Sequence, residues 1–188
     1  MGELDPGFKY EVMREPGGEQ LKMCFSCTGC TVSCPVSEIE PMYNPRRYIH
    51  QTLVGMRDEV LGDEYLWRCV QCHSCYEYCP QDVKVTELIS VLRSLSEREA
   101  KRGRVRIKNP LYMFEDAFAE SVRRHGRVHE SMVIAKHIWK TRGLKGLMEF
   151  MPLGKAMFFK GKISLFAKSI SKRDQVQKIF DVVRGGGH

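Results

Sequence analysis

The chain has 188 residues, 43% of them hydrophobic, and a net charge of +7. This length suits one domain or one domain with an extension, and the composition is sufficient for a packed core. Lysine, arginine or glycine interrupts the apolar stretches well short of the ~18 residues that a membrane span needs, which argues against a transmembrane helix. The charge is unevenly divided, because residues 1–100 carry a balance of −6 and residues 101–188 one of +13.

The chain begins with a segment, residues 1–18, that is rich in proline and glycine and is predicted to be irregular. A first cysteine run follows, made of Cys24, Cys27, Cys30 and Cys34 with Pro35 directly behind. The spacing is C-x2-C-x2-C-x3-C-P, by which bacterial-type ferredoxins hold a [4Fe–4S] cluster. The first run therefore predicts an iron–sulfur site.

The 34 residues from Pro35 to Arg68 are predicted to be helical. Asn44 followed by Pro45 is typical of a helix N-cap with proline at the first helical position. Hydrophobic residues then recur at helical spacing, and we expect this helix to continue until Gly62 breaks it. Asp63 is expected to cap a short second helix.

A second cysteine run repeats the first with the same spacing: Cys69, Cys72, Cys75 and Cys79, with Pro80 behind. In two-cluster ferredoxins the fourth cysteine of each run ligates the other cluster. We therefore expect one [4Fe–4S] cluster on Cys24, Cys27, Cys30 and Cys79, and another on Cys69, Cys72, Cys75 and Cys34. Two neighbouring clusters predict an electron-transfer protein.

An amphipathic helix is predicted after the second run and ends at Gly103. Residues 19–103 are thus predicted to form a mainly α cluster domain, an α-helical ferredoxin. Residues 104–188 are predicted to be a basic helical extension, with one helix capped by Asn109 and ending near Gly126 and another stopping at Gly143. We expect this extension to dock to other subunits, and we expect no nucleic-acid partner because no nucleic-acid motif accompanies the charge.

Other interpretations of the cysteines remain open. Two four-cysteine zinc sites, with the basic tail on nucleic acid, are one alternative, although the repeat of the whole run favours clusters. Disulfides fit poorly because no signal peptide opens the chain, so we expect a cytoplasmic protein. His73 lies inside the second run, but four cysteines are available and we predict a loop residue. Trp67 is expected to shield the second cluster, to belong to the core, or both.

The sequence resembles the C-type subunit of heterodisulfide reductase, an iron–sulfur subunit with the α-helical ferredoxin fold. The residues that carry the resemblance are Asn44-Pro45-Arg46, Trp67-Arg68-Cys69-Val70-Gln71-Cys72-His73-Ser74-Cys75 and Cys79-Pro80. The basic helical tail also matches. The resemblance covers about residues 20–180 and is strongest up to about residue 100.

The resemblance implies an electron relay in methanogenesis. Single electrons would pass from the flavin-containing subunit of the complex to its catalytic subunit, which reduces the disulfide of coenzyme M and coenzyme B. A hydrogenase or a formate dehydrogenase would supply the electrons. Since all eight cysteines are expected to be cluster ligands, no catalytic residue is predicted in this chain.

A second class of function stays open, namely an iron–sulfur subunit of a membrane-linked quinone or fumarate-reductase-type respiratory complex. Such subunits usually carry a preceding [2Fe–2S] domain with C-x4-C-x2-C spacing. Residues 1–23 contain no cysteine, which favours the heterodisulfide reductase interpretation.

Overall fold

The computed structural model describes residues 3–162 and 168–185. Every regular element in this part of the chain is a helix, so the predicted mainly α fold is confirmed. The chain divides into two compact units, Met1–Ile107 and Lys108–His188. The division falls at Ile107, whereas the sequence placed the end of the cluster domain at Gly103. Across the described residues, no helix is both long and apolar enough to cross a membrane.

The described part of the first unit is built from seven helices and two 3₁₀ turns. The helices are α1 (Phe8–Arg14), α2 (Gly29–Val32), α3 (Pro35–Ile39), α4 (Pro45–Val54), α5 (Arg57–Gly62), α6 (Ser74–Glu77) and α7 (Val85–Lys101). The 3₁₀ turns, Leu21–Met23 and Glu64–Arg68, lead into the two cysteine runs. Helix α7 packs against α1, α4, α5 and α6, so it is the central element of this unit.

The core of the first unit consists of apolar side chains on the longer helices and on the turns before the runs. The fully buried ones include Phe8, Val12, Leu21, Tyr43, Tyr48, Ile49, Val60, Leu61, Leu66, Leu88, Ile89 and Leu92. Because Leu21 and Leu66 lie in the two 3₁₀ turns, their burial anchors the start of each cysteine run to the core.

The sequence predicted an irregular N-terminal segment, but this segment contains helix α1. Phe8 and Val12 are four residues apart, lie on one face of this helix and are fully buried. The glutamate of the same helix, Glu11, accepts a hydrogen bond from Arg57 at 3.0 Å. The proline–glycine pairs flank α1 and do not interrupt it. Such pairs indicate irregular structure, and the prediction drawn from them is wrong for residues 8–14.

The segment between the cysteine runs confirms two predicted caps and corrects one helix. Asn44 Oδ1 accepts a backbone N–H of the first turn of α4 at 3.0 Å, and Asp63 Oδ1 caps the second 3₁₀ turn at 2.9 Å. The predicted helix to Gly62 is wrong, because α4 ends at Gly55 in a left-handed conformation with φ 87°. A Cβ atom at Gly55 would lie only 2.3 Å from the carbonyl oxygen of Asp5, so this close approach requires glycine.

The described part of the second unit contains α8 (Pro110–His125), α9 (Glu130–Phe159) and α10 (Arg173–Gly185), with α8 packed against the other two. Asn109 caps α8 by accepting a backbone N–H at 2.8 Å, and Gly126 ends it with φ 71°, as predicted. Gly143, the predicted stop, has φ 63° and ψ −154° and kinks α9.

Candidate metal centre

The two cysteine runs follow the same backbone path. In each run, the residues on either side of the second cysteine have positive φ: Ser26 (69°) and Thr28 (70°) in the first run, Gln71 (53°) and His73 (63°) in the second. Positive φ is uncommon in residues other than glycine, so its recurrence at matched positions shows that the two loops have the same conformation. A one-turn helix follows directly in both cases, α2 in the first run and α6 in the second. The runs are therefore two copies of one loop structure.

The cysteines show the same order of burial in both runs. All eight are free. In each run the first cysteine is partly exposed, the second is exposed and the third is buried. The fourth positions differ, because Cys34 is buried and Cys79 is only partly buried.

The surroundings of Cys75 include a cysteine from the other run. Burial raises the pKa of the Cys75 thiol, a hydrogen bond with Thr86 opposes this, and the charges of Cys69, Cys34 and Cys72 raise the pKa further. Cys34 thus lies close enough to act electrostatically on the third cysteine of the second run. This is the neighbourhood that an exchange of fourth ligands requires.

The surroundings of Cys30 are dominated by its own run. Burial raises its pKa to about 11, the neighbouring Thr31 hydroxyl lowers it, and the charges of Cys24, Cys75 and Cys27 raise it further. The two buried third cysteines are therefore also within electrostatic reach of each other.

The link from the first run to Cys79 is a backbone contact. A Cβ atom at Gly29 would lie 3.1 Å from the carbonyl oxygen of Tyr78 and 3.6 Å from Sγ of Cys27. The residue before Cys79 thus lies against the first loop, and α2 packs on α6. The first loop, at Gly29, thus approaches the second run directly before its fourth cysteine.

The donor set fits an iron–sulfur group. Two sets of four thiols at ferredoxin spacing are the ligands of [4Fe–4S] clusters. No group of three or more His, Cys, Asp or Glu side chains in residues 3–162 and 168–185 is placed to hold a metal ion. When bound, a cluster would supply positive iron, which deprotonates coordinating thiols, and one-electron chemistry.

The second run is surrounded by buried polar groups that no sequence motif singles out. Tyr43 is only 2% exposed, and it lies close enough to Cys69 for the two groups to interact electrostatically. Burial and the charges of nearby thiols, Cys69 foremost, raise the pKa of Tyr43 far above its usual range, so the phenol keeps its proton. Tyr43 precedes Asn44 and is remote from Cys69 in sequence, so only the fold could reveal this contact.

Arg93 on α7 holds the backbone at the start of the second run. Its guanidinium donates to the carbonyl oxygens of Leu66 at 3.1 Å and Cys69 at 2.8 Å. The same group lies 5.5 Å from the ring centroid of Trp67, which is buried. Trp67 is thus a core residue under Arg93, while His73 is an exposed loop residue with a left-handed backbone.

Comparison with known proteins places the cluster domain in a family. Residues 20–83 match the model of the 4Fe-4S dicluster domain. The C2 subunit of the H2/formate:CoB-CoM heterodisulfide,ferredoxin reductase of Methanococcus maripaludis is 36% identical over 124 residues, which are 62% of this chain and 66% of the relative. The C-type subunit of the H2:CoB-CoM heterodisulfide,ferredoxin reductase of Methanothermobacter thermautotrophicus is 39% identical over 93 residues, 50% of this chain and 49% of the relative.

A third relative has a less specific name. This protein of Archaeoglobus profundus, named only as similar to the C-type subunit of heterodisulfide reductase, is 31% identical over 105 residues, 56% of each chain. The matches to these three relatives span between 49% and 66% of their lengths. Residues 20–83 therefore match a 4Fe–4S dicluster domain, and the chain is similar to C-type iron–sulfur subunits of heterodisulfide reductase, as its sequence predicted.

Proposed function

We propose that the chain is the electron-transfer subunit of a heterodisulfide reductase complex and holds two [4Fe–4S] clusters. The first site would consist of Cys24, Cys27, Cys30 and Cys79, and the second site of Cys69, Cys72, Cys75 and Cys34. The observation that carries this proposal is the matched left-handed backbone path of two cysteine runs with ferredoxin spacing. The electrostatic influence of Cys34 on Cys75 supports the exchange of fourth ligands.

The proposed relay runs from a flavin-containing subunit, through this chain, to a catalytic subunit that reduces the coenzyme M–coenzyme B disulfide. A hydrogenase or a formate dehydrogenase would feed the flavin-containing subunit. The names of the relatives support this assignment, since they are C-type subunits of CoB-CoM heterodisulfide reductases. We also place the protein in the cytoplasm, where thiols stay reduced.

The test is anaerobic purification of this chain from its native host with its partners, followed by mass spectrometry and measurement of iron and acid-labile sulfide. Recovery of a flavin-binding subunit and of a subunit with paired Cys-Cys motifs is the expected result. Recovery of a membrane cytochrome would instead assign the chain to a quinone-linked complex. Zinc without sulfide would overturn the cluster proposal itself.

We propose in addition that residues 104–188 dock to the catalytic subunit. The part of α9 after its kink exposes a continuous set of large apolar side chains, among them Leu144, Met148, Phe150, Met151 and Leu153. The region is also strongly basic, with a balance of +13 over residues 101–188. Methionine-rich faces adapt to a partner surface, and the basic charge suits an acidic one.

This docking proposal predicts the behaviour of two variants. Replacing Met148 and Leu153 together by serine should release the catalytic subunit on anaerobic size-exclusion chromatography while the iron content stays unchanged. Lys155→Ser, on the same helix, is the control for a general effect of substitution there. Retention of the partner by the double variant would refute docking through α9.

A further inference from the structure

The hydroxyl groups near the second run are directed at its cysteines. Ser74 Oγ lies 3.4 Å from Sγ of Cys72, and Thr86 Oγ1 lies 3.3 Å from Sγ of Cys75. A ligated cysteine is a thiolate and can only accept a hydrogen bond, so each of these hydroxyls must then be the donor.

Two hydroxyl groups of the first run have other partners, and Cys79, which is assigned to the first site, accepts a backbone N–H from Val83 at 3.3 Å. Thr31 donates its single hydrogen to Asn44 Oδ1 at 2.9 Å, and Ser26 pairs with Nε2 of His50 at 2.5 Å. The Asn44 oxygen assignment is fixed, because the same atom accepts the backbone N–H that caps α4. Thr31 therefore has no hydrogen left for Cys30, although its position beside that thiol resembles that of Thr86 beside Cys75.

The charge near the two runs differs as well. Arg93 is buried, with 9% exposure, and bonds the Cys69 carbonyl oxygen at 2.8 Å. The partners of its guanidinium are the carbonyl oxygens of Leu66 and Cys69 and the ring of Trp67, which are all uncharged. Among the described residues, no arginine donates to the backbone of the first run.

Donors and positive charge around cluster sulfurs favour the reduced form, because reduction adds one negative charge to the cluster and its thiolates. We propose that Ser74, Thr86 and Arg93 make the second site the more readily reduced of the two. These are positioning residues, because they act through the cysteines. The inference rests on the proposed function, which supplies the two sites. Each site takes up one electron, and no bond between protein atoms forms or breaks.

The experiment is an anaerobic redox titration of the cluster-loaded full-length chain, with dithionite as reductant and EPR spectroscopy as readout. Two one-electron steps are expected. Thr86→Val should make the more favourable step about tenfold less favourable, or ~59 mV for one electron, by removing a hydrogen bond to a charged sulfur. Thr31→Val is the matched control and should leave the midpoint potentials of both steps unchanged.

A second variant keeps the inference testable if Thr86→Val fails to fold. Ser74→Ala removes only the hydroxyl that lies 3.4 Å from Sγ of Cys72, so it should shift the same step in the same direction. The inference is overturned if both variants leave that step unchanged, if they shift the less favourable step, or if Thr31→Val acts as strongly. Failure of the proposed function is a separate outcome, because iron and sulfide analysis before the titration would then find no clusters.

Discussion

The two cysteine runs share one backbone path but differ in what surrounds it. Both place left-handed residues beside the second cysteine and begin a one-turn helix before the third. The second run is additionally fixed to α7 by Arg93 and contacted by the Thr86 hydroxyl. The first run instead contacts α4, through His50 and through Asn44 of the cap that precedes this helix. The backbone path is therefore common to both runs, and the neighbouring helices are what make their surroundings different.

The most severe test of this comparison removes a fourth cysteine. If the ligands are exchanged, Cys79→Ala disrupts the first site and Cys34→Ala disrupts the second, although each residue belongs to the other run. Each variant should lose about half of its iron and sulfide, since each loses one of two clusters.

The two losses can be told apart by adding Thr86→Val to each variant. The step that remains in Cys79→Ala should respond to the added substitution, because it belongs to the second site. The step that remains in Cys34→Ala should not respond. The opposite pattern would show that each run holds its own fourth cysteine.

A smaller effect is expected when the attachment of the second run to α7 is removed. Arg93→Met leaves the carbonyl oxygens of Leu66 and Cys69 without their donor. The expected cost is about 2 kcal/mol, roughly 30-fold in local opening. Amide hydrogen exchange should increase over residues 69–75 and not over residues 24–30.

The control for this variant is Arg68→Met, which alters an exposed arginine at the end of the adjacent 3₁₀ turn. It should change exchange in neither loop. Equal acceleration of both loops by Arg93→Met would mean that the arginine supports the whole unit and not the second run alone.

The contact between the loops is asymmetric at one matched position. Gly29 in the first run corresponds to Ser74 in the second. Gly29→Ser places a Cβ atom 3.1 Å from the Tyr78 carbonyl oxygen, and such overpacking costs about 1–3 kcal/mol. The variant should lose its cluster absorbance at a lower temperature than the parent protein.

Gly62→Ser is the matched control for this substitution, because a Cβ atom at Gly62 meets nothing within 4 Å. It should leave the melting of the cluster absorbance nearly unchanged. If Gly29→Ser were equally well tolerated, the loops would have room to separate, and the approach of Tyr78 would not constrain them.

What the sequence could predict in this molecule is what local chemistry determines. The cysteine spacing is dictated by the shape of the metal group, and the caps at Asn44, Asp63 and Asn109 follow from side chains that bond the nearest backbone N–H groups. The predictions of a 4Fe–4S domain and of the start of α4 were confirmed for this reason.

What the sequence could not predict depends on contacts between distant segments. Helix α1 is short and is held by burial of Phe8 and Val12 against α4 and α7. The break at Gly55 follows from the approach of Asp5, and the roles of Tyr43 and Arg93 from their approach to Cys69. The hydrophobic pattern continues through Gly55, so periodicity alone indicated one longer helix.

The smallest expected effect comes from Asn44, whose side chain both caps α4 and accepts the hydrogen bond of the Thr31 hydroxyl. Asn44→Ala removes the cap of α4, at about 1 kcal/mol, and also removes the acceptor of the Thr31 hydroxyl. The freed hydroxyl can then donate to Cys30, which should make reduction of the first site roughly fivefold more favourable. Asn109→Ala removes the same kind of cap from α8 and should leave both redox steps unchanged. If Asn44→Ala also leaves them unchanged, or if its effect survives in a Thr31→Val background, the hydroxyl of Thr31 does not set the difference between the two runs.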